Sequence, residues 1–244
     1  MVKAIQFHRI TPRVQFCGTW NYPEQFEDFL LFLCDNFEVV VPGEKRNGFV
    51  IAFDDGDRSI YDHAFPILKK YGVRAVVFLA VGYIGMEDSW DLSVLGARSH
   101  HLSWPEIHEM KEWGIEFGSH TMSHRNLTRL TADEMDFELR ESKRILEEQL
   151  GPVDCISYPF NRVNKHVVTK ARQTGYKFGF GGAGESELLI KKEAVYITDN
   201  VRSLKIKLAE RPRILYNYDR MKQKAINCFT MVTMLTKRSF YARR

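Results

Sequence analysis

Short unbroken apolar runs alternate along this chain with stretches of helical periodicity. Val2–Phe7 reads as a first strand, and Pro23–Cys34, where Phe26, Phe29, Leu30 and Leu33 recur at helical spacing, as a first helix. Phe37–Val41 is the expected second strand. Val50–Phe53 has no polar alternation, as in a parallel strand buried on both faces. Ser59 is placed to cap a helix reaching Lys70, and Val73–Val81 is again an apolar strand. Ser103 with Glu106, and Thr131 with Glu134, form capping boxes opening helices to Trp113 and Leu150, the second closed by Gly151-Pro152. Ile115–Phe117, Cys155–Tyr158, Tyr176–Phe180 and Ala194–Ile197 complete the strands. Asn164–Gln173 and Ser203–Glu210 complete the helices.

Such alternation implies parallel strands joined by crossover helices, in an open sheet or a barrel. No glycine-rich phosphate loop follows the first strand, which argues against a dinucleotide-binding sheet; candidate chemistry at several strand ends favours an α/β barrel. A length of 244 residues suits one main domain.

Charge marks the one expected boundary, near Asn200. Residues 201–244 hold twelve Lys/Arg against two acids, leaving 23 against 29 in residues 1–200. The expected organisation is a barrel domain over 1–200 and a basic helical tail over 201–244. In the tail Ala225, Ile226, Phe229, Val232 and Leu235 form an apolar helical stripe, with Lys222, Lys224, Lys237 and Arg238 around it. That pattern suits peripheral contact with an anionic membrane; the preferred alternative is a terminal helix docked on the barrel with its charges in solvent. No recognition motif accompanies the charge, so nucleic acid is not an expected partner. The four cysteines, Cys17, Cys34, Cys155 and Cys228, have neither zinc-ribbon nor disulfide spacing and read as reduced thiols. The opening MVKAIQFHRI lacks the apolar core of a secretory signal, and the expected location is cytoplasmic, with the inner membrane face as the site of any lipid contact.

The chemistry is concentrated in two places. In Val50–Gly56 an apolar strand ends in Asp54, Asp55 and a glycine, which delivers two carboxylates to a rim; alone, the same residues also read as a turn capping the next helix. His120 and His124, four residues apart in HTMSH, follow the strand Ile115–Phe117. In a turn of helix or a tight loop both imidazoles face one way, and two histidines with one carboxylate make a catalytic zinc set. His63, His100, His101, His108 and His166 read as structural or solvent-facing, and His8, from its residue type and place alone, as a core histidine of the first strand.

Taken in order, IAFDDGDRSIYDHAFPILKKYGVRAVVFL, LSWPEIHEMKEWGIEFGSHTMSHRNLTRLT and ISYPFNRVNK resemble the polysaccharide deacetylase (NodB-homology) family of carbohydrate esterases, over about Ala4–Phe180. QFHRI near the N-terminus is similar to the branch that includes poly-N-acetylglucosamine deacetylases, in which a first-strand histidine replaces a catalytic histidine found later in other members. The resemblance implies a distorted, seven-stranded (β/α) barrel acting as a metal-dependent N-deacetylase on an N-acetylated amino sugar in a glycan, glycolipid or nucleotide-linked precursor. By the same resemblance Asp54 is the general base, His8 the general acid, and Asp55, His120 and His124 the ligands of one divalent ion. Zinc is the expected ion, with nickel, cobalt or manganese as alternatives. Tyr158, Pro159 and Phe160 would form a groove wall, the Phe160 N–H helping to hold the oxyanion. The chain departs from the family at two points: the arginine that orients the base is replaced by Ser157 or Tyr196 at its usual places, and Asn161 stands where the branch has glycine. Rival readings are hydrolysis of another acyl amide, as by a deformylase or cyclic amide hydrolase, and a glycan-binding pseudoenzyme.

Overall fold

The computed structural model describes residues 2–15, 18–45, 47–87, 100–182 and 186–208. Among the described residues nine strands alternate with six α-helices. In chain order they are β1 (Val2–Phe7), β2 (Arg9–Ile10), β3 (Trp20–Asn21), α1 (Pro23–Asn36), β4 (Gly48–Phe53), α2 (Phe65–Tyr71), β5 (Val76–Leu79), α3 (Trp104–Trp113), β6 (Glu116–Ser119), α4 (Ala132–Leu150), β7 (Cys155–Ser157), α5 (Lys165–Thr174), β8 (Phe178–Phe180), β9 (Lys192–Ala194) and α6 (Val201–Leu208).

Seven strands form one parallel sheet in the order β8-β7-β6-β5-β4-β1-β9, while β2 and β3 pair separately. The sheet all but closes into a barrel. Gly179 and Gly181 exchange backbone hydrogen bonds with Glu187 and Ile190 at one edge, Ala4 N–H donates to Lys191 O at 3.0 Å, and β9 then pairs with β1 at the other edge. The segment 187–194 thus joins the two edges, as expected of a distorted seven-stranded barrel.

Strand alternation sorts the side chains into two layers. Ile5, Phe7, Ile51, Phe53, Val77 and Leu79 point outward into the main core, where the Phe7 ring lies 5.1 Å from Phe26 of α1 and 5.7 Å from Phe53. Ala4, Val50, Ala52, Val76, Phe78, Cys155 and Phe180 fill the interior, and Phe78 meets Phe180 across the barrel at 5.0 Å. Following each interior row to and past its strand end gives Gln6 on β1 and His8 after it, Asp54 after β4, His120 after β6 and Ser157 on β7. The barrel is apolar at its floor and polar at its carboxyl-terminal rim.

The capping boxes at Ser103–Glu106 and Thr131–Glu134 both form, and Gly151, with φ 75°, ends α4. Three expectations are corrected. Phe37–Val41 makes one bridge, Val39 to Phe49, because β5 occupies that side of β4 from Ala52 onward. Ser59 is not a side-chain cap: a π-helical turn over Ile60–Ala64 opens that helix, Asp57 accepts the Ser59 N–H at 2.8 Å, and Ser59 Oγ accepts from Ile10 N–H. The last strand is Lys192–Ala194 rather than Ala194–Ile197, whose Val195 and Tyr196 are buried in the following loop. Helix α6 packs Leu204 and Leu208 into the main core; the tail's apolar stripe lies outside the described residues. Among the described residues no helix is long and apolar enough to cross a membrane. Cys34 and Cys155 are free thiols, the first exposed and the second buried.

Candidate active site

Three loops at the carboxyl ends of β4, β6 and β7 build the site. Among the described residues the five non-glycine residues with left-handed backbone, Asp55, Thr121, His124, Phe160 and Asn161, all lie in these loops. Each such conformation costs about 1–3 kcal/mol and persists where surrounding structure enforces it. Asp55 is held by two hydrogen bonds across its turn: His101 Nδ1 donates to Asp55 O at 3.0 Å and Leu102 N–H to Gly56 O at 2.8 Å. His101, read from sequence as structural or solvent-facing, is a buried prop of this turn.

The loops bring Asp55, His120 and His124 together, their ligand atoms all within 4.8 Å of one another. Asp55 Oδ1 stands 3.4 Å from Nε2 of each histidine and is buried without a hydrogen-bond partner. His120 Nδ1 is 2.7 Å from Ser157 O, and a carbonyl only accepts, so Nδ1 is the donor there and Nε2 is the nitrogen turned toward the carboxylate. Burial pushes His124 down to about 4 against the pull of Asp55, leaving its imidazole neutral near pH 7. Two imidazole nitrogens converging on an orphaned carboxylate oxygen suit a shared cation. Ligand atoms about 2.0–2.1 Å from a tetrahedral zinc stand roughly 3.4 Å apart, which is the observed carboxylate-to-imidazole spacing. The donor set therefore fits one divalent ion.

Asp54 sits beside this triad, almost fully buried, its Oδ2 3.7 Å from His120 Nε2. It is the most heavily supported side chain in the site. Oδ2 accepts from Gln6 Nε2 at 2.6 Å and Lys192 Nζ at 2.7 Å, and Ser157 Oγ lies 3.0 and 3.1 Å from the two carboxylate oxygens. Burial alone would raise this carboxyl, but Lys192, His120 and His8 together hold it below its usual value. Asp55 is likewise driven well below the carboxylate range, against burial, by His120 and His124.

His8 reaches the same rim because β1 and β4 pair in register through Phe7 and Phe53, with Asp54 N–H donating to Phe7 O at 3.0 Å. Gln6 Nε2 lies 3.1 Å from His8 Nε2. Since the Gln6 amide nitrogen already faces the Asp54 carboxylate, it is the donor, His8 Nε2 the acceptor, and His8 Nδ1 the protonated nitrogen. That Nδ1 is buried without a partner. Burial lowers the pKa of His8 against the pull of Asp55 and Asp54.

The expected groove wall is corrected in part. Tyr158 is fully buried on the outer side of the barrel, its hydroxyl donating to Leu188 O at 3.2 Å, and Pro159 is buried too. Cys155 and Ser157 take the interior positions of β7, so Tyr158 must face the other way. Phe160 is exposed, and its ring packs at a tilt against that of His124, centroids 4.7 Å apart. Asn161, with φ 56°, adopts the conformation a glycine would, and its Oδ1 accepts the Gly182 N–H at 2.8 Å. Sequence reasoning missed Gln6 and Lys192. The cation beside Asp54 comes from β9, four residues before Tyr196, where a Lys-Lys-Glu run reads as solvated loop.

The family model for polysaccharide deacetylase matches residues 43–179. YxkH of Bacillus subtilis (strain 168), named for the same family, is 31% identical over 169 residues, covering 64% of this chain and 56% of that protein. Poly-beta-1,6-N-acetyl-D-glucosamine N-deacetylase of Staphylococcus aureus (strain MRSA252) is 31% identical over 140 residues, covering 53% and 46% respectively. The chain thus spans about half the length of these relatives. Among solved structures, the Streptococcus pyogenes deacetylase PplD in complex with acetate superposes with a TM-score of 0.72 at 21% identity, over 85% of this chain and 98% of that one, which supports the fold. With the profile covering more than half of its residues, from the turn before β4 into β8, the chain belongs to the polysaccharide deacetylase family.

Proposed function

We propose that the protein is a metal-dependent N-deacetylase that removes acetyl groups from an N-acetylated amino sugar in a glycan or in a lipid- or nucleotide-linked glycan precursor. The observation that carries this reading is the Asp55–His120–His124 triad with the buried, hydrogen-bonded Asp54 carboxylate at its side. Relatives named as deacetylases of polysaccharides and of poly-N-acetylglucosamine support the amide and the sugar.

Amide cleavage needs a polarised carbonyl, a deprotonated water and a protonated amine leaving group. A divalent ion held by Asp55, His120 and His124, zinc being the one this donor set suits, would supply Lewis acidity to the carbonyl and to water. Asp54, ionised and fixed by Gln6, Ser157 and Lys192, takes the proton of the attacking water. His8 as imidazolium, the form that the charges of Asp55 and Asp54 favour, gives its Nδ1 proton to the departing nitrogen from the β1 side and is left as the neutral ring, which the proton taken up by Asp54 recharges after turnover. Phe160, at the opposite edge, offers its ring to the sugar and its backbone N–H to the developing oxyanion.

The test combines elemental analysis of the purified protein with a screen of N-acetylated amino sugars and their oligomers for released acetate. About one divalent ion per chain, and acetate release abolished by a chelator and restored by metal, supports the reading. Glycan binding with no acetate release from any substrate would favour the pseudoenzyme.

A further inference from the structure

Thr121 and His124 hold left-handed conformations on either side of Ser123, and loops so strained keep their shape only when something grips them. Helix α4, running beneath the loop, does so at two points one turn apart. At the first, Glu138 Oε2 accepts the Ser123 N–H at 2.8 Å while Glu138 Oε1 accepts the Ser123 hydroxyl. At the second, Ser142 Oγ meets Ser119 Oγ at 2.9 Å, and Ser119 Oγ accepts the Thr121 N–H at 3.0 Å. The loop adds a clamp of its own, His124 N–H donating to Thr121 Oγ1 at 3.1 Å.

Glu138 is the unexpected member of this set. It is 1% exposed and lies on the face of α4 that also buries Met135, Leu139 and Leu146. A carboxylate there is costly unless its oxygens are occupied, and both are occupied by the residue next to His124. We infer that Glu138 is a positioning residue of the metal site, fixing Ser123 so that the His124 imidazole is presented to the ion held with Asp55 and His120. This rests on reading that triad as a metal site. Glu138 touches no ligand atom of the triad; it acts through the loop backbone, as outer partners of metal ligands do.

The experiment is a titration of metal-free protein with Zn²⁺ against a chromogenic chelator, paired with the visible absorption spectrum of the Co²⁺-loaded form. Glu138→Ala is expected to weaken Zn²⁺ binding about tenfold to a hundredfold and to alter the Co²⁺ spectrum. Glu138→Gln, whose amide oxygen can still accept the Ser123 N–H, should bring affinity back to within a few-fold of the parent. At saturating Zn²⁺, Glu138→Ala should lower kcat and leave KM unchanged, since the residue does not face the sugar. Should Glu138→Ala not fold, Glu138→Asp, one methylene too short to reach Ser123, carries the same expectation. A parent that binds Zn²⁺ and a truncated variant that binds it equally well, with the same Co²⁺ spectrum, would overturn this inference alone. A parent that takes up no Zn²⁺ would overturn the metal reading and this inference with it.

Discussion

Lys192 Nζ donates to Asp54 Oδ2 at 2.7 Å inside the barrel, both side chains no more than 2% exposed. The same ammonium donates to Ser157 Oγ at 2.7 Å, which directs the serine proton onto Asp54. The pairing follows from register: β9 sets Lys192 opposite Ala4 on β1, two residues before Gln6, and all three point into the barrel. A lysine on the closing strand thus meets Asp54, the carboxylate for which the resemblance implied an arginine partner at the place of Ser157 or Tyr196.

The first prediction follows from that pair. Lys192→Met leaves a buried carboxylate without its cation, and removing one partner of such a pair costs about 3–5 kcal/mol. Denaturant melts should show a loss of that order, and acetate release should fall sharply while metal content holds. Adding Asp54→Asn should recover most of the stability, because no lone charge remains, but none of the activity. Equal melts for parent and Lys192→Met would show that the pair contributes little.

The two adjacent acids should separate in their effects. Asp54→Asn is expected to keep the metal and lose most turnover, because Asp54 is engaged by Gln6, Ser157 and Lys192. Asp55→Asn should weaken metal binding itself, since Asp55 Oδ1 has no hydrogen-bond partner and faces both imidazoles. Equilibrium dialysis followed by elemental analysis decides the matter, and equal metal loss in both variants would reject the division.

Where a segment's polarity matched its burial, it was legible in the sequence. Val2–Phe7 is apolar enough to announce a strand to the residue, and the capping boxes at Ser103 and Thr131 carry their own local chemistry. Asp54, Asp55, His120 and His124 were legible because a carboxylate pair and a histidine pair each follow an apolar run. Lys192 and Gln6 were hidden for the opposite reason: residue type suggests solvent, while the barrel's upper layer is polar and closed to it. Tyr158 was placed in the groove wall by the resemblance alone, whereas counting alternate residues from Cys155 turns it outward. Phe37–Val41 had strand composition, but β5 holds the edge it would have paired with.

Gly118 offers a test of the barrel's packing apart from its chemistry. A Cβ at this position would lie 2.6 Å from the Phe78 ring and 3.0 Å from Cys155 O. Phe78 is fully buried against Phe180 and cannot swing aside, so Gly118→Ala should destabilise the fold by about 1–3 kcal/mol through overpacking. Thermal melts would register this as a lowered Tm. The further substitution Phe78→Leu should relieve part of it by vacating the space the methyl needs.

The last prediction concerns His8. Its Nε2 accepts from Gln6, so the one proton of the neutral ring sits on Nδ1, buried and without a partner among the described residues. An orphaned buried donor is costly, which suggests that Nδ1–H is reserved for a group supplied by the substrate. Burial lowers the pKa of the imidazole while Asp55 and Asp54 favour its charged form, and negative charge developing on the substrate adds to that pull, so the ring can take up a second proton and pass its Nδ1 proton to the leaving amine, returning to neutral. Losing general-acid help costs about a hundredfold to ten-thousandfold in rate. His8→Ala should therefore keep its metal and cripple amide cleavage, yet spare hydrolysis of an activated acetate ester whose leaving group needs no proton. Gln6→Leu should produce a weaker version of the same pattern, because it frees the tautomer of His8 and also removes a donor from Asp54. If His8→Ala cleaves the amide within a few-fold of the parent, His8 is a rim residue only, and the proton must come from another group.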